Sequence, residues 1–287
     1  MSPGAATLPT GRVCFIGAGP GAADLITLRG ARLIAAADII IWASSLVHPG
    51  ILSGARSDAE VVDSATIPLE VLEPIFGRAK ELGLLVARIH TGDPAIYGAV
   101  AEQRALCDRL GLAHETVPGV SAFSAALARM DAEVTVPEVA QSLILTRLEG
   151  GRTPMPARET VRAFSAHGTT MALYLSAARN RVLQEELLAG GYAPDTPCII
   201  GYRVSWPDEL MLRCELSTLS ASMREHKLWK HTIVLVGPAL AVGGANTRSR
   251  LYDPGFRHEF RAAEPQAGFA LGGQAAETAT GTNAEIA

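Results

Sequence analysis

Short apolar runs alternate with amphipathic stretches along the first half of the chain. Buried strands are predicted at residues 12–17 (RVCFIG), 38–43 (DIIIWA), 84–90 (LLVARIH) and, more briefly, 114–119 (HETVPG). Helices are predicted after the first strand, where Asp24 is a candidate N-cap, at residues 68–83 with an interruption near Pro74, and at residues 97–111. Because strands that alternate with helices are joined by crossovers, this half predicts a parallel sheet.

The alternation restarts after a helix of small residues predicted at 120–128. Strands are predicted at residues 141–146 (QSLILT), 169–176 (TTMALYLS), 197–203 (PCIIGYR), 209–216 (ELMLRCEL) and 231–237 (HTIVLVG). The fourth of these follows a turn at Trp206 and Pro207, which indicates an antiparallel hairpin with the third. The whole pattern predicts an α/β fold made of two α/β domains.

The domain boundaries are placed where the pattern changes. The N-terminal domain is predicted at residues 11–120, the C-terminal domain at 121–243 and a C-terminal extension at 244–287. From about residue 262 the extension is rich in Ala, Gly and Thr and contains no Lys, Arg or His. This composition predicts a disordered end.

Composition and charge narrow the class of protein. The chain has 287 residues, 48% of them hydrophobic, and a formal net charge of −4, which does not indicate a nucleic-acid or anionic-membrane partner. The first dozen residues lack a basic start and an apolar run, so no secretory signal is expected, and the most apolar stretch, residues 33–47, is too short to span a membrane.

Four cysteines without a C-x-x-C pair indicate a reduced, cytoplasmic protein. The seven histidines lack metal-ligand spacing, so no metal site is predicted.

The glycine loop at residues 17–22 (GAGPGA) raises the question of a dinucleotide site. It fits the fingerprint G-x-G-x-x-G/A loosely. A dinucleotide site also places an acidic residue at the end of the second strand, and here Asp38 lies at the beginning of that strand instead. Pro20 also removes one backbone N–H that could bind pyrophosphate. The loop is therefore better interpreted as a generic strand-to-helix turn or as a site for a different ligand.

Two further loops follow buried strands in the same half of the chain. Residues 90–99 read HTGDPAIYGA and residues 117–122 read VPGVSA. Since open α/β sheets bind ligands at the carboxyl ends of their strands, we expect the three glycine-containing loops to form one ligand crevice.

These three loops resemble the motifs of the tetrapyrrole methylases, over roughly residues 11–240. The first loop, GAGPGAADLIT, departs from that family's pattern only in placing Ala22 and Ala23 where Asp-Pro is usual, while GDPAIYG and PGVSA follow in the expected order. Three more stretches, WASSLVHPGIL, VPEVAQSLILTRLEGGRTPMP and LYDPGFRHEFR, resemble the subgroup that methylates C-11 of precorrin-4 or of its cobalt-containing counterpart. The resemblance implies two α/β domains with the cofactor crevice between them, the tetrapyrrole methylase fold.

The resemblance also implies the chemistry. The cofactor would be S-adenosylmethionine, released as S-adenosylhomocysteine, and the reaction would convert precorrin-4 into precorrin-5 in cobalamin biosynthesis. The attacking carbon of a pyrrole-derived ring is electron-rich, so no catalytic residue is expected beyond groups that orient the reactants, with Asp93 as a candidate. The expected partners are a small-molecule tetrapyrrole and a second copy of the chain in a homodimer.

Site residues follow from the same resemblance. The cofactor would contact Pro20, Gly92, Asp93, Ile96, Ser121, Ala122, Leu173, Tyr174, Leu175, Tyr202, Arg203 and Thr232. Asp93 would bind the methionine ammonium. Guanidinium groups that could pair with substrate carboxylates are those of Arg147, Arg152, Arg179 and Arg203.

Several alternatives remain open at this point. Leu173 and Leu175 also fit ordinary strand core, the arginines also fit a solvated surface, and Glu149 is a structural partner for Arg152. Other substrates within the superfamily are uroporphyrinogen III, another precorrin position, diphthine or ribosomal RNA. A non-catalytic corrinoid carrier or a nicotinamide-binding protein is the alternative from another class.

Overall fold

The computed structural model describes residues 11–150 and 154–241, and near the C-terminus residues 253, 255–257, 259 and 260. The predicted disorder after residue 262 lies outside this part of the chain, as does Arg152. Both β-sheets belong to one compact unit.

The first sheet is parallel, as the sequence predicts, and has the strand order β3-β2-β4-β1-β5. Its strands are β1 (Arg12–Gly17), β2 (Ile39–Trp42), β3 (Glu60–Asp63), β4 (Leu85–His90) and β5 (Ala113–Val117). Helices α1 (Leu28–Ala36), α2 (Leu72–Leu82) and α3 (Val100–Leu110) connect them. The central strands β1, β2 and β4 are almost entirely buried, because helices cover both faces of the sheet.

Local details in this half correct two expectations and add one strand. Asp24 does not cap α1; a 3-10 turn occupies Ala23–Leu25, and the Thr27 side chain accepts the hydrogen bond from Gly30 N at 3.1 Å. Pro74 does not interrupt α2 but lies in its first turn, where a missing N–H costs no intrahelical bond. Strand β3 has no counterpart in the sequence prediction, because its four residues are mostly exposed at the sheet edge and show no apolar run.

The second sheet is mixed, with the order β6-β7-β10-β8-β9. Its strands are β6 (Leu143–Arg147), β7 (Thr170–Tyr174), β8 (Pro197–Tyr202), β9 (Leu210–Glu215) and β10 (Thr232–Val236). Strands β6 and β7 are parallel, whereas β10 runs antiparallel to β7 and β8. The predicted hairpin of β8 and β9 is confirmed, with Tyr202 opposite Leu210 across the turn.

Four helices accompany the second sheet: α4 (Ala122–Arg129), α5 (Val161–Ser165), α6 (Asn180–Ala189) and α7 (Leu219–Glu225). Apolar side chains on one face of the sheet pack with α5, α6 and α7, and those on the other face pack with α4. The two sheets thus come from residues 12–117 and 143–236, while the predicted domain limits at 120/121 and 243/244 stay a prediction. Within the described residues, no helix is long and apolar enough to cross a membrane.

Candidate active site

The three glycine loops meet at the carboxyl edge of the first sheet. The loop after β1 and the loop after β4 exchange two backbone hydrogen bonds, from Gly92 N to Gly19 O at 2.7 Å and from Gly19 N to Gly92 O at 3.3 Å. Both glycines have positive φ values, +80° for Gly19 and +60° for Gly92, a conformation that side chains with a Cβ rarely adopt. The first and second glycine loops, which are expected to form one crevice, therefore contact each other directly.

Close approach of backbones explains why glycines recur here. A Cβ at Gly17 would lie 2.6 Å from the Cα of Gly119, and a Cβ at Gly119 would lie 2.8 Å from the Cα of Gly17 and overlap the carbonyl oxygen of Gly92. The first and third glycine loops are thus packed backbone against backbone. Gly17, the first glycine of the stretch that resembles a dinucleotide fingerprint, takes part in this packing.

The Asp93 carboxylate joins the second glycine loop to the third. Its Oδ1 accepts a hydrogen bond from Ala95 N at 2.7 Å, and its Oδ2 accepts one from Gly119 N at 3.0 Å. A carboxylate oxygen has two lone pairs, so each oxygen can accept a further hydrogen bond from a ligand. Asp93 is partly buried and lines the cleft described next.

A cleft of about 490 Å³ opens beside these loops and lies between elements of the two sheets. From the first sheet, the loops after β1, β2, β4 and β5 contribute Pro20, Ser45, Leu46, Thr91, Gly92, Asp93, Ile96, Tyr97, Ser121 and Ala122. From the second sheet, the ends of β7 and β8 and the start of β10 contribute Tyr174, Leu175, Ala177, Ala178, Gly201, Arg203, Val204, Trp206, Trp229, Lys230, His231, Thr232 and Ile233. Its volume and largely apolar lining with a few polar groups are typical of a small-molecule site.

Tyr174 connects the two walls of the cleft. Ser121 occupies the N-cap position of α4, yet its side chain makes no bond to that helix. Instead the Ser121 and Tyr174 hydroxyls share a hydrogen bond of 2.6 Å, and the Tyr174 ring lies 5.6 Å from that of Tyr97. Burial raises the pKa of both tyrosines, so their hydroxyls are protonated donors at neutral pH.

Trp206 joins the first glycine loop to the second sheet. Its Nε1 donates to the carbonyl oxygen of Pro20 at 3.0 Å, and the neighbouring Ser205 Oγ accepts from Ala22 N at 2.9 Å. A Cβ at Gly21 would lie 2.6 Å from the Trp206 Nε1, so the indole fits only against a glycine. The Arg203 guanidinium lies 4.1 Å from the centre of the Trp206 ring, a cation–π contact.

Backbone strain is concentrated around the cleft. Among its lining residues, Tyr97, Leu175, Arg203 and His231 have positive φ values between +45° and +56° although none is glycine. Such conformations cost about 1–3 kcal/mol each and persist mainly at binding and catalytic sites. The strain turns Leu175, which is 74% exposed, away from the strand core and into the cleft.

Ten of the twelve residues predicted to contact the cofactor line the cleft. Those brought together are Pro20, Gly92, Asp93, Ile96, Ser121, Ala122, Tyr174, Leu175, Arg203 and Thr232. Leu173 does not line it, because its side chain points into the core on the opposite face of β7 and is fully buried. Tyr202 is likewise absent from the lining and packs against that core.

The predicted substrate arginines fall in different places. Arg203 lines the cleft, and its Nε lies 3.0 Å from Asp208 Oδ1, an ion pair without hydrogen-bond alignment. Arg147 and Arg179 lie outside the lining; Arg147 Nη2 donates to Pro154 O at 3.1 Å, and Arg179 donates to Glu149 O. The Glu149 carboxylate accepts from Val161 N at 2.9 Å, at the start of α5.

Several cleft residues have no counterpart in the sequence prediction. The most prominent are Leu46, Tyr97, Trp206, Trp229, Lys230 and His231. Trp229 and Lys230 directly precede β10 and His231 adjoins its first residue; because β10 is antiparallel to β7 and β8, its start lies at the same edge as the carboxyl ends of β6, β7 and β8. Burial, followed by the charges of Lys230 and Arg203, lowers the pKa of His231, so the imidazole is neutral at pH 7.

Comparison with known proteins identifies relatives over most of the chain. The sequence profile of the tetrapyrrole (corrin/porphyrin) methylases matches residues 12–220. The chain is 40% identical over 253 residues to the cobalt-precorrin-4 C(11)-methyltransferase of Priestia megaterium, covering 87% of this chain and 97% of that protein. It is 41% identical over 249 residues to the precorrin-4 C(11)-methyltransferase of a Sinorhizobium species, covering 87% and 98% respectively.

Solved structures of two methyltransferases are also similar to this chain. The X-ray structure of a cobalamin biosynthetic enzyme, the cobalt precorrin-4 methyltransferase CbiF, is similar with a TM-score of 0.79 at 39% identity, over 82% of this chain and 99% of that one. The uroporphyrin-III C-methyltransferase of Thermus thermophilus, solved with S-adenosylhomocysteine, gives a TM-score of 0.67 at 25% identity, over 81% and 94% respectively.

Proposed function

Because the chain belongs to the tetrapyrrole (corrin/porphyrin) methylases, we propose that it methylates C-11 of precorrin-4 with S-adenosylmethionine, giving precorrin-5 in cobalamin biosynthesis. The observation that carries the proposal is the identity of about 40% with C(11)-methyltransferases over nearly their whole length. The uroporphyrin-III methylase shares only 25%, which favours the C-11 reaction over that substrate.

Cobalt-precorrin-4 is the second candidate substrate. The chain is 40% identical to the Priestia cobalt-precorrin-4 enzyme and 41% identical to the Sinorhizobium precorrin-4 enzyme. Sequence identity therefore supports this second substrate almost as well as the first. The two candidates differ in whether the macrocycle already contains cobalt, and the methylated carbon is the same.

The apolar walls and the polar groups of the cleft suit the proposed cofactor. Apolar walls suit an adenine ring, and backbone groups of the glycine loops together with the free lone pairs of Asp93 suit a methionine ammonium. When bound, S-adenosylmethionine would supply the methyl group and the sulfonium leaving group. The residues assigned to it in this proposal are the ten predicted residues that line the cleft.

This chain's own contribution to the reaction is to orient the reactants and to exclude water. The raised pKa values of Tyr97 and Tyr174 keep both phenols protonated at pH 7, so neither is a phenolate nucleophile that would compete with the substrate for the methyl group. Holding two reactants in the correct geometry is itself worth several orders of magnitude in rate. Arg203 in the cleft and Arg147 near Tyr97 are the guanidinium groups proposed to pair with ring carboxylates. Arg152 and Arg179 stay substrate candidates.

We also propose a cytoplasmic homodimer that acts on a small-molecule tetrapyrrole. The cysteines are free in the described part of the chain, as expected in a reducing compartment, and the net charge of −4 gives no basis for nucleic-acid binding.

Isothermal titration tests the cofactor assignment. S-adenosylhomocysteine is expected to bind the purified protein, whereas NAD⁺ and NADP⁺ at the same concentrations give only the heat of dilution. The reason is that the glycine loops are packed against each other and the second strand ends without an acidic ribose ligand. Binding of a nicotinamide dinucleotide without binding of S-adenosylhomocysteine would refute the proposal.

A further inference from the structure

A partly buried arginine lies beneath the cleft loops. Arg88 is on β4, on the sheet face that α2 and α3 cover, and no carboxylate among the described residues lies within ion-pair distance of its guanidinium. Burial lowers its pKa to about 10, so it is still protonated at neutral pH. Its neighbour His90 is neutral there, because burial and the Arg88 charge lower the His90 pKa to about 3. Even partial burial of a charge that has no ion-pair partner among the described residues costs stability, so the hydrogen bonds that hold Arg88 there need a functional reason.

One arm of the Arg88 guanidinium reaches the second glycine loop. Its Nε donates to Gln103 Oε1 at 2.9 Å, and Gln103 Nε2 donates to the carbonyl oxygen of Ala99 at 3.0 Å. Only this amide orientation satisfies both partners, because arginine can only donate and a carbonyl can only accept. Ala99 has a φ of +49° and ends the loop that contains Thr91, Gly92, Asp93, Ile96 and Tyr97.

The other arm reaches the loop after β2. Arg88 Nη1 donates to Ser64 Oγ at 2.7 Å, and Ser64 in turn donates to the carbonyl oxygen of Trp42 from both Oγ and N, at 3.0 Å and 2.6 Å. Trp42 is the last residue of β2, and the next residues of that loop include Ser45 and Leu46 of the cleft. Arg88 is therefore the common donor behind two loops that form one wall of the cleft.

We propose that Arg88 is a positioning residue that sets the spacing of these two loops, through Gln103 and Ser64, and thereby the fit of the cleft to its nucleoside ligand. The identity of the ligand rests on the proposed function. A single guanidinium suits this task because its planar N–H donors point in fixed directions and can reach Gln103 and Ser64 at once. A lysine ammonium is a compact charge on a flexible stem and could not hold both partners in fixed positions.

Four variants separate positioning from a general loss of stability. Arg88→Met removes both arms, Gln103→Leu removes one and Ser64→Ala removes the other. Gln103→Glu still accepts from Arg88 but cannot donate to Ala99 O, so it keeps a partner for the guanidinium while it releases the loop. Arg109→Met, at the exposed end of α3, is the control for the loss of an arginine.

The readouts are the Kd for S-adenosylhomocysteine by titration, the melting temperature, and amide hydrogen exchange of residues 43–47 and 91–99. Arg88→Met is expected to raise the Kd about ten-fold or more and to speed exchange in both loops, since a displacement of ~1 Å can cost ~100-fold in function. Gln103→Leu and Gln103→Glu should raise the Kd and speed exchange only in residues 91–99, and Ser64→Ala only in residues 43–47. Arg109→Met should match the wild type.

Two results would overturn the inference: wild-type Kd and exchange in a folded Arg88→Met protein, or wild-type behaviour of Gln103→Glu, which would mean that Arg88 only needs an acceptor. If Arg88→Met does not fold, Gln103→Glu and Ser64→Ala still decide the matter. Failure of the wild type to bind S-adenosylhomocysteine would instead refute the proposed function, and the exchange data would then test the positioning alone.

Discussion

Replacing Gly119 by alanine is expected to abolish S-adenosylhomocysteine binding. The new Cβ would overlap the carbonyl oxygen of Gly92 and lie 2.8 Å from the Cα of Gly17, and all of these atoms are backbone. Relief therefore requires the three glycine loops to separate, which moves the residues on both sides of Asp93. Overpacking of this kind costs about 1–3 kcal/mol in stability and can cost more.

Titration of the folded variant with S-adenosylhomocysteine, together with its melting temperature, provides the measurement. Gly77→Ala is the matched control, because Gly77 lies within α2 and a Cβ there meets nothing within 4 Å. That control should bind normally and gain roughly 0.5–1 kcal/mol of stability from the better helix former. A Gly119→Ala protein with wild-type affinity would show that the loops do not need their close packing.

Removal of the Asp93 carboxylate is expected to weaken both the fold and cofactor binding. Asp93→Ala loses the hydrogen bonds to Ala95 N and Gly119 N, and stability should fall by about 2 kcal/mol, within the range for bonds to a charged group. The Kd for S-adenosylhomocysteine should rise by more than ten-fold, because the variant also loses the acceptor proposed for the ligand ammonium.

Chemical denaturation and titration measure the two effects separately. Asp58→Ala is the control, since Asp58 is an exposed carboxylate paired with Arg56 far from the glycine loops in sequence, and it should change neither quantity measurably. A stability loss with unchanged affinity would restrict Asp93 to holding the loops together.

Much of the fold follows from periodicity alone. Strands β1 and β2 are almost continuous apolar runs, and β4 is mainly apolar apart from Arg88 and His90. The loops after these strands could be assigned to one edge because parallel strands end there. Strand β3 escaped detection because a short, exposed edge strand shows no such run. The helix cap was misplaced by three residues because both Asp24 and Thr27 are suitable cap residues, and only the three-dimensional path of the chain selects Thr27.

The site was harder to predict than the fold for physical reasons. Leu173 and Leu175 look equivalent in sequence. The positive φ of Leu175 turns its side chain into the cleft, whereas the side chain of Leu173 stays in the core. Trp206 was assigned to a turn, since its hydrogen bond to Pro20 O spans 186 positions in the chain and leaves no local signal. For Asp93 the sequence suggested a ligand contact or a turn residue, and nothing in the motif indicates its hydrogen bond from Gly119 N in the third glycine loop.

The most direct test of the central claim is methyl transfer itself. The protein is incubated with S-adenosylmethionine labelled in its methyl group and, in separate reactions, with precorrin-4, cobalt-precorrin-4 and uroporphyrinogen III, and the products are analysed by mass spectrometry and by NMR of the labelled carbon. The prediction is one labelled methyl group at C-11 of precorrin-4 or its cobalt form, with uroporphyrinogen III unchanged. Methylation of uroporphyrinogen III with no transfer to either form of precorrin-4 would contradict it.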